Sequence, residues 1–266
     1  MERGKINNHS PAVLKYEKGT LVLEGVSHQR VGSCFRLPVW KWDRRVGGFR
    51  CDAMYLDYVQ KCIESAGLQV SSVNLPEPAR VHFPENNLPK LRKEQQLALE
   101  SWFRSGCRGQ ILMPTGTGKT ELGLAAMAKL QVSALIVAPV RDLMYQWHRR
   151  ILAAFGYDAG IIGDNTYNMK PVTVTTYDSA YIHTPAIGSR FGMLIFDEEH
   201  HLPGRCYREA AVMSTAPCRM GLTATPERSD GRHVDLNTLV GPVVYNLPIS
   251  EVKGRTLADF DVVRVP

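Results

Sequence analysis

Seven residues constrain this chain more than any others. Pro114-Thr115-Gly116-Thr117-Gly118-Lys119-Thr120 follows the apolar run Ile111–Met113 and leads into TELGLAAMAKL, a stretch of helix-forming composition. A strand, a glycine-bearing loop and a helix, in that order, make a phosphate loop. Gly116 and Gly118 let the backbone curl until successive N–H groups face one phosphate at the positive end of the helix. Lys119 then reaches the β- and γ-phosphates of ATP, and the Thr120 hydroxyl can ligate Mg²⁺. The strict spacing G-x-x-x-x-G-K-[ST] would need glycine where Met113 stands, so the match is to the shorter P-T-G-x-G-K-T form. A GKT triplet alone is a common accident, and its place between strand and helix gives it weight.

A loop of that kind belongs in a parallel sheet, and the surrounding rhythm agrees. From Lys90 onward, short β-branched runs (QILM, ALIVAP, VTVTTY, MLIF, RMGLTAT) alternate with helical stretches such as RDLMYQWHRRILAAF. This alternation predicts βα units and an α/β fold, a parallel sheet with helices on both faces. The first 81 residues follow a different grammar. VLKYEKGTLVLEG predicts a hairpin turning at Lys18-Gly19, FRLPVWKWDRRVGGFRCD a second strand pair turning at Gly47-Gly48, and AMYLDYVQKCIESAG a helix stopped by Gly67. Between the two regions NLPEPARVHFPENNLPKL carries four prolines. The expected organisation is a small mixed α/β domain over 1–81, a Pro-rich linker over 82–90 and the motif-bearing domain over 91–250.

MLIFDEEHHLPG, residues 193–204, admits two chemistries. A zinc site needs its histidines on one face, as at i and i+4 of a helix, whereas His200 and His201 are adjacent and share no face in helix or strand. An ATPase loop needs an apolar strand delivering a carboxylate beside the phosphate loop. Asp197 would hold Mg²⁺ and Glu198 would orient or deprotonate the attacking water. With the phosphate loop upstream and LTATP downstream, the second reading holds.

Composition sets looser bounds. The 266 residues carry a formal net charge of +6, which mildly favours a polyanionic partner. Six scattered cysteines without a C-x-x-C pair suit reduced core thiols rather than a disulfide or zinc framework. With no bilayer-length apolar run and no signal-peptide core, the expectation is a protein away from membranes, inside the cell.

The order of these motifs, a phosphate loop, D-E-x-H and then T-A-T, resembles the first motor domain of superfamily 2 helicases and translocases, which use the short loop form. DEEHHLPG with MGLTATPERSDGR and LVGPVVYNLP is similar to the XPB family of DNA-repair helicases. The resemblance is specific over about Leu88–Leu247. It implies a RecA-like motor domain that binds ATP and Mg²⁺, with Arg92 and Gln95 of LRKEQQLAL near the adenine and His200 in the catalytic loop. It implies that Thr223, Ala224 and Thr225 couple the nucleotide to the nucleic acid. Arg141 of APVRDLMYQW, Thr176 and Tyr177 of TVTTYDSA, and Arg228 and Asp230 of ERSDG are implied at DNA, the last two replacing an R-E-D triplet with Arg-Ser-Asp. Glu199 departs from the apolar residue common at that place.

In the family a damage-recognition domain precedes the motor, which suits residues 1–81. There VWKWDRRVGGFR interleaves aromatics with cations; Trp40 and Trp42 share a face and are expected in the core, leaving Arg44 and Arg45 as DNA candidates. Residues 251–266 are expected to begin the connection to a second motor domain. The function implied is ATP-driven 3′→5′ translocation or opening of duplex or forked DNA in repair, with a nuclease or a transcription–repair complex as partner. A prokaryotic cytoplasm or nucleoid is the implied place. An RNA helicase, a restriction-type translocase and a non-enzymatic DNA-binding module remain as alternatives.

Overall fold

The computed structural model describes residues 12–27, 40–84, 87–224 and 231–248. Two sheets are built on two different patterns. In the first, β1 (Ala12–Glu17) and β2 (Thr20–Glu24) form the expected hairpin. Lys18 and Gly19 take φ of 47° and 84°, as a two-residue turn matching the strand twist requires. β3 (Lys41–Asp43) and β4 (Gly48–Asp52) form the second antiparallel pair, but Gly48 is already strand. The chain reverses instead over Arg44–Gly47, where the N–H groups of Val46 and Gly47 donate to the Asp43 carbonyl. The 35–39 part of that expected pair lies outside the described residues.

A 3-10 turn at Ala53–Tyr55 leads into α1 (Leu56–Ser65), which lays Val59 and Ile63 on the sheet. β5 (Val70–Val73) then pairs in parallel with β1, giving the order β3-β4-β2-β1-β5. This strand was not visible in the sequence. Three of its four residues, Ser71, Ser72 and Val73, are exposed, so VSSV carries no buried alternation.

The second sheet has the order β13-β6-β12-β11-β7-β10-β8-β9. Its elements in chain order are α2 (Lys93–Arg104), β6 (Arg108–Leu112), α3 (Lys119–Leu130), β7 (Ala134–Ala138) and α4 (Arg141–Phe155). Then come the hairpin β8 (Gly160–Gly163) and β9 (Thr166–Asn168), followed by β10 (Val172–Thr176) and α5 (Tyr177–Ile187). β11 (Met193–Asp197), α6 (Glu209–Val212), β12 (Cys218–Thr223), α7 (Leu236–Leu239) and β13 (Val243–Asn246) complete it. Neighbouring strands run parallel except in the β8–β9 edge hairpin.

The central strands β7, β10 and β11 are buried at every position, which is why their sequences are continuous apolar or β-branched runs. Alternate residues serve two cores. Ala134, Ile136 and Ile195 face α2, α3 and α4, while Leu135, Val137 and Phe196 face α5, α6 and α7. Helices thus cover both faces, as expected of this fold class.

The stretch expected as a linker lies on the second sheet's core. The Val81 N–H donates to the Gln131 carbonyl and the Ser133 N–H to the Ala79 carbonyl. Phe83 is buried, its N–H bonded to Gln131 Oε1 and its carbonyl to Gln131 Nε2. Prolines bar this segment from helix or central strand without keeping its apolar residues off the core. The two sheets also meet directly. The Tyr16 hydroxyl is shared between the carbonyls of Thr184 and Met213, 2.9 Å from each. A Cβ on Gly19 would stand 2.5 Å from Met213 Cγ, so glycine serves both the turn and the contact.

Candidate nucleotide and nucleic-acid site

Ligands of open α/β sheets bind beyond the carboxyl ends of the strands. Three adjacent strands bring the main motifs to that edge. β6 ends at the phosphate loop, β12 at Thr223 and β11 at Asp197, and the register sets Thr223 beside Leu112 and Asp197 beside Leu222.

Gly116 and Gly118 adopt φ of 79° and 77°, the left-handed conformation that turns the loop into a cradle of N–H groups. Pro114 is buried, Thr115 and Gly116 are exposed, and Thr117 folds inward with its hydroxyl donating to the Pro114 carbonyl at 2.6 Å. Lys119 opens α3 and is 9% exposed. Its ammonium donates to the Met113 carbonyl at 3.2 Å and stands 3.4 Å from Glu198 Oε1.

α2 closes the loop from one side. Gln95 Oε1 accepts from the Arg92 N–H at 2.7 Å, and Gln95 Nε2 donates to the carbonyls of Thr117 and Gly118 at 2.9 and 3.2 Å. The Arg92 guanidinium also donates to the Thr117 carbonyl. A Cβ on Gly118 would stand 2.4 Å from Gln95 Nε2, so this glycine is needed for close approach as well as for its φ. Arg92 and Gln95, expected near adenine, therefore grip the phosphate loop itself.

At the end of β11, Asp197 is 8% exposed. Burial pushes its carboxyl pKa upward, and the Trp147 indole N–H, donating to Oδ2 at 2.8 Å, pulls the other way. Glu198 has φ 49°, an uncommon left-handed conformation for a non-glycine residue, and it turns its side chain back toward the loop. The Thr223 hydroxyl donates to Glu198 Oε2 at 3.3 Å and pairs with His200 Nδ1 at 3.0 Å, while His200 Nδ1 lies 3.4 Å from the same carboxylate oxygen. Lys119, Glu198, His200 and Thr223 thus form one connected group across three strands. Ala224 follows half-buried, and Thr225 lies outside the described residues. Thr120 on the first turn of α3 and Asp197 offer a hydroxyl and a carboxylate, hard oxygen donors that fit Mg²⁺ with water completing its shell.

The same edge continues through β7, β10 and β8. Arg141 opens α4 with its side chain 68% exposed, Nη1 donating to Asp164 Oδ1 at 2.5 Å. That bond, with a second from the Tyr145 hydroxyl, holds the Asp164 pKa below the ordinary carboxylate range. Thr176 and Tyr177, implied at DNA, turn their side chains inward. Thr176 is buried and caps α5, its hydroxyl accepting from the Ser179 N–H. Tyr177 is 1% exposed among apolar residues, and its hydroxyl donates to the Asp197 carbonyl at 3.1 Å. Burial raises its pKa well above the ordinary phenol range. Arg228 and Asp230 lie outside the described residues.

In the first sheet, Trp40 and Trp42 pack against its core, Trp42 edge-on to Phe49. Arg44 and Arg45 are both exposed in the β3–β4 turn. Arg45 is clamped to Asp43 by two bonds of 3.0 and 2.9 Å, and Arg50 also reaches Asp43 at 2.9 Å.

Two residues next to the chemistry were missed in the sequence. Trp147 sits on α4 and looked like ordinary core periodicity. Glu199 stood out only as an acid where an apolar residue was expected. It is 0% exposed, both its carboxyl oxygens lack a hydrogen-bond partner among the described residues, and its side chain fills the notch left by Gly221. Burial pushes its pKa well above the ordinary range.

Residues 88–228 match the family described as Type III restriction enzyme, res subunit, and residues 14–71 match the Xeroderma pigmentosum group B helicase damage recognition domain. The chain is 43% identical over 173 residues to DNA 3′-5′ translocase XPB2 of Sulfurisphaera tokodaii, which is 65% of this chain and 39% of that protein. It is 34% identical over 177 residues to DNA 3′-5′ helicase XPB of Mycobacterium tuberculosis, covering 62% of this chain and 32% of that one. The chain thus spans well under half the length of these relatives. Among solved structures, the UvsW helicase of bacteriophage T4 superposes with a TM-score of 0.53 at 12% identity over 89% of this chain and all of that one, a likeness of fold. The res-subunit match covers more than half of the sequence, so the chain belongs to that family of helicase domains, joined here in the XPB manner to a damage-recognition stretch.

Proposed function

We propose that this chain carries the nucleotide-binding half of an ATP-driven DNA translocase or helicase of XPB type. The carrying observation is the connected group of Lys119, Glu198, His200 and Thr223 beside a glycine cradle. A phosphate entering the cradle competes with Glu198 for the Lys119 ammonium. The released carboxylate is then free to orient or deprotonate water. Asp197 and Thr120 would hold Mg²⁺, which would supply positive charge against the negative charge developing on the phosphates. Thr223 links the water-orienting acid to the segment after β12, a route for nucleic acid to influence the nucleotide site. Lys119 is the cation that the described loop offers to the γ-phosphate, so full turnover calls for further positive charge from a second motor domain.

DNA, duplex or forked, is the proposed substrate, engaged along the edge marked by Arg141 and by the exposed turn at Arg44 and Arg45. Arg228 and Asp230 belong to the same proposal. Repair is the setting that the resemblance supports, with a nuclease or a transcription–repair complex as partner and 3′→5′ polarity.

The test is ATP turnover with no nucleic acid, with forked DNA and with RNA. It is run on this chain alone and joined to a second motor domain, each beside Glu198→Gln. The proposal expects DNA-stimulated turnover in the joined protein and its loss in Glu198→Gln. Rapid turnover by the chain alone sinks the half-site reading, and stimulation by RNA alone favours an RNA helicase.

A further inference from the structure

The indole of Trp147 touches more of the nucleotide site than its place on α4 suggests. It is 1% exposed, and its Nε1–H donates to Asp197 Oδ2 at 2.8 Å. Its ring edge lies over Gly123 of α3, the helix that opens at Lys119. A Cβ on Gly123 would stand 2.7 Å from Trp147 Cη2 and 3.2 Å from Ile195 Cδ1. A second tie between the same helices joins Arg150 of α4 to Glu121 of α3. The ring is therefore wedged between the phosphate-loop helix and the strand that delivers Asp197, with little room to tilt.

A buried indole needs an acceptor, and a carbonyl would serve. Here the acceptor is one oxygen of the carboxylate placed beside the loop. An N–H fixed on Oδ2, with the Glu198 backbone N–H also on the carboxylate, restricts how the group can turn toward a cation or its water.

Building on the ATP-site reading above, we propose that Trp147 is the positioning residue of the metal-binding carboxylate: its indole N–H, held by the close packing on Gly123, sets Asp197 in the orientation that receives Mg²⁺.

The test measures binding of a fluorescent ADP to this chain by anisotropy, in EDTA and across a Mg²⁺ titration. Three forms are compared: the parent, Trp147→Phe, and a chain with 3-benzothienylalanine at position 147, which keeps the bicyclic shape and replaces the N–H with sulfur. Circular dichroism melting of each form separates loss of fold from loss of the donor. The expected result is affinity in EDTA within twofold of the parent for both replacements, with the Mg²⁺ concentration needed for the tight state raised about 10-fold or more. Placing 7-azatryptophan at the same position, which keeps the N–H, should restore the parent titration. Unchanged Mg²⁺ dependence in the folded benzothienyl form overturns the proposal, because the bond then serves only to satisfy a buried indole. A parent chain that binds no ADP overturns the ATP-site reading and this proposal with it, and one that binds ADP with no Mg²⁺ dependence overturns the metal-binding role of Asp197 on which the proposal rests. A parent that shows the dependence while the benzothienyl form matches it overturns the positioning role alone.

Discussion

The two sheets treat charge in opposite ways. In the first, Asp43 is answered within its own turn by Arg45 and by Arg50 on the next strand, and Arg50 also reaches Glu17 and Thr20. These groups lie at or near the surface, where such pairs contribute little to stability and water can replace either partner. In the second sheet, two ionisable groups are fully buried with no opposite charge beside them among the described residues. Arg219 is 0% exposed and donates to the carbonyls of Ala216, Leu239 and Ser214 at 3.1, 2.7 and 2.8 Å. Glu199 is equally buried with no hydrogen-bond partner among the described residues. Charge in the first sheet can be rearranged at small cost, whereas the Arg219 guanidinium in the second holds three backbone carbonyls where the chain enters β12.

The sharpest way to break that contrast is Arg219→Ala. Three buried carbonyls lose their donor and a cavity opens at the start of β12. The expected loss is about 3–5 kcal/mol of unfolding free energy by urea titration. A loss below about 1 kcal/mol would mean that water replaces the guanidinium and that the second sheet tolerates charge rearrangement as the first does.

Glu199 tests the same contrast with the opposite sign. Because burial raises its pKa, the native state keeps a proton that the unfolded chain gives up above the ordinary carboxylate range. Stability from this group is therefore full at low pH and falls as pH rises toward the raised native value. Glu199→Met keeps the unbranched shape against Gly221 and removes the titration. It should stabilise the fold by about 1–3 kcal/mol at pH 8 and much less near pH 4, by urea titration in metal-free buffer. An equal gain at both pH values would show that the carboxyl releases its proton over the same pH range in the folded and unfolded states.

These two residues also mark where the sequence stopped being informative. The parallel sheet was legible because β7, β10 and β11 are buried on both faces and leave unbroken apolar or β-branched runs. The phosphate loop was legible because its chemistry is local, with seven consecutive residues and their flanks. What stayed hidden depends on pairs distant in sequence. Trp147 and Asp197 are 50 residues apart, and Trp102 donates its indole N–H to the Arg219 carbonyl across 117. The inward turn of Tyr177 was hidden because a motif carries position along the chain and not the direction of a side chain. The packing of 82–84 was hidden because proline's backbone restriction says nothing of whether Phe83 is buried.

Tyr16 is where the two regions touch, so it sharpens the comparison at their boundary. Tyr16→Phe keeps the ring and removes the hydroxyl donor from the carbonyls of Met213 and of Thr184, which keeps the Gly188 N–H, for an expected loss of about 1 kcal/mol. Proteolysis of the 74–79 segment, between β5 and the Arg80 bridge to Val132, should also become faster. No change in either measurement would show that packing of Gly19 and Met54 alone joins the sheets.

The smallest expected effect tests what the first sheet's exposed charge is for. Arg44 and Arg45 are adjacent and both exposed, yet Asp43 engages only Arg45 among the bonds described in this turn. If the turn meets DNA phosphates as proposed, Arg44 contributes a whole contact, while Arg45 must first give up its carboxylate. Arg44→Ala should then lower the slope of log affinity against log salt by about 1, the signature of one lost phosphate contact, with no change in melting temperature. Arg45→Ala should lower it by less, since Asp43 keeps Arg50. Equal reductions would show that the Asp43 clamp yields freely to phosphate. No reduction in either variant would remove this turn from the DNA path and leave Arg141, on the edge shared with the nucleotide site, as the described contact to test next.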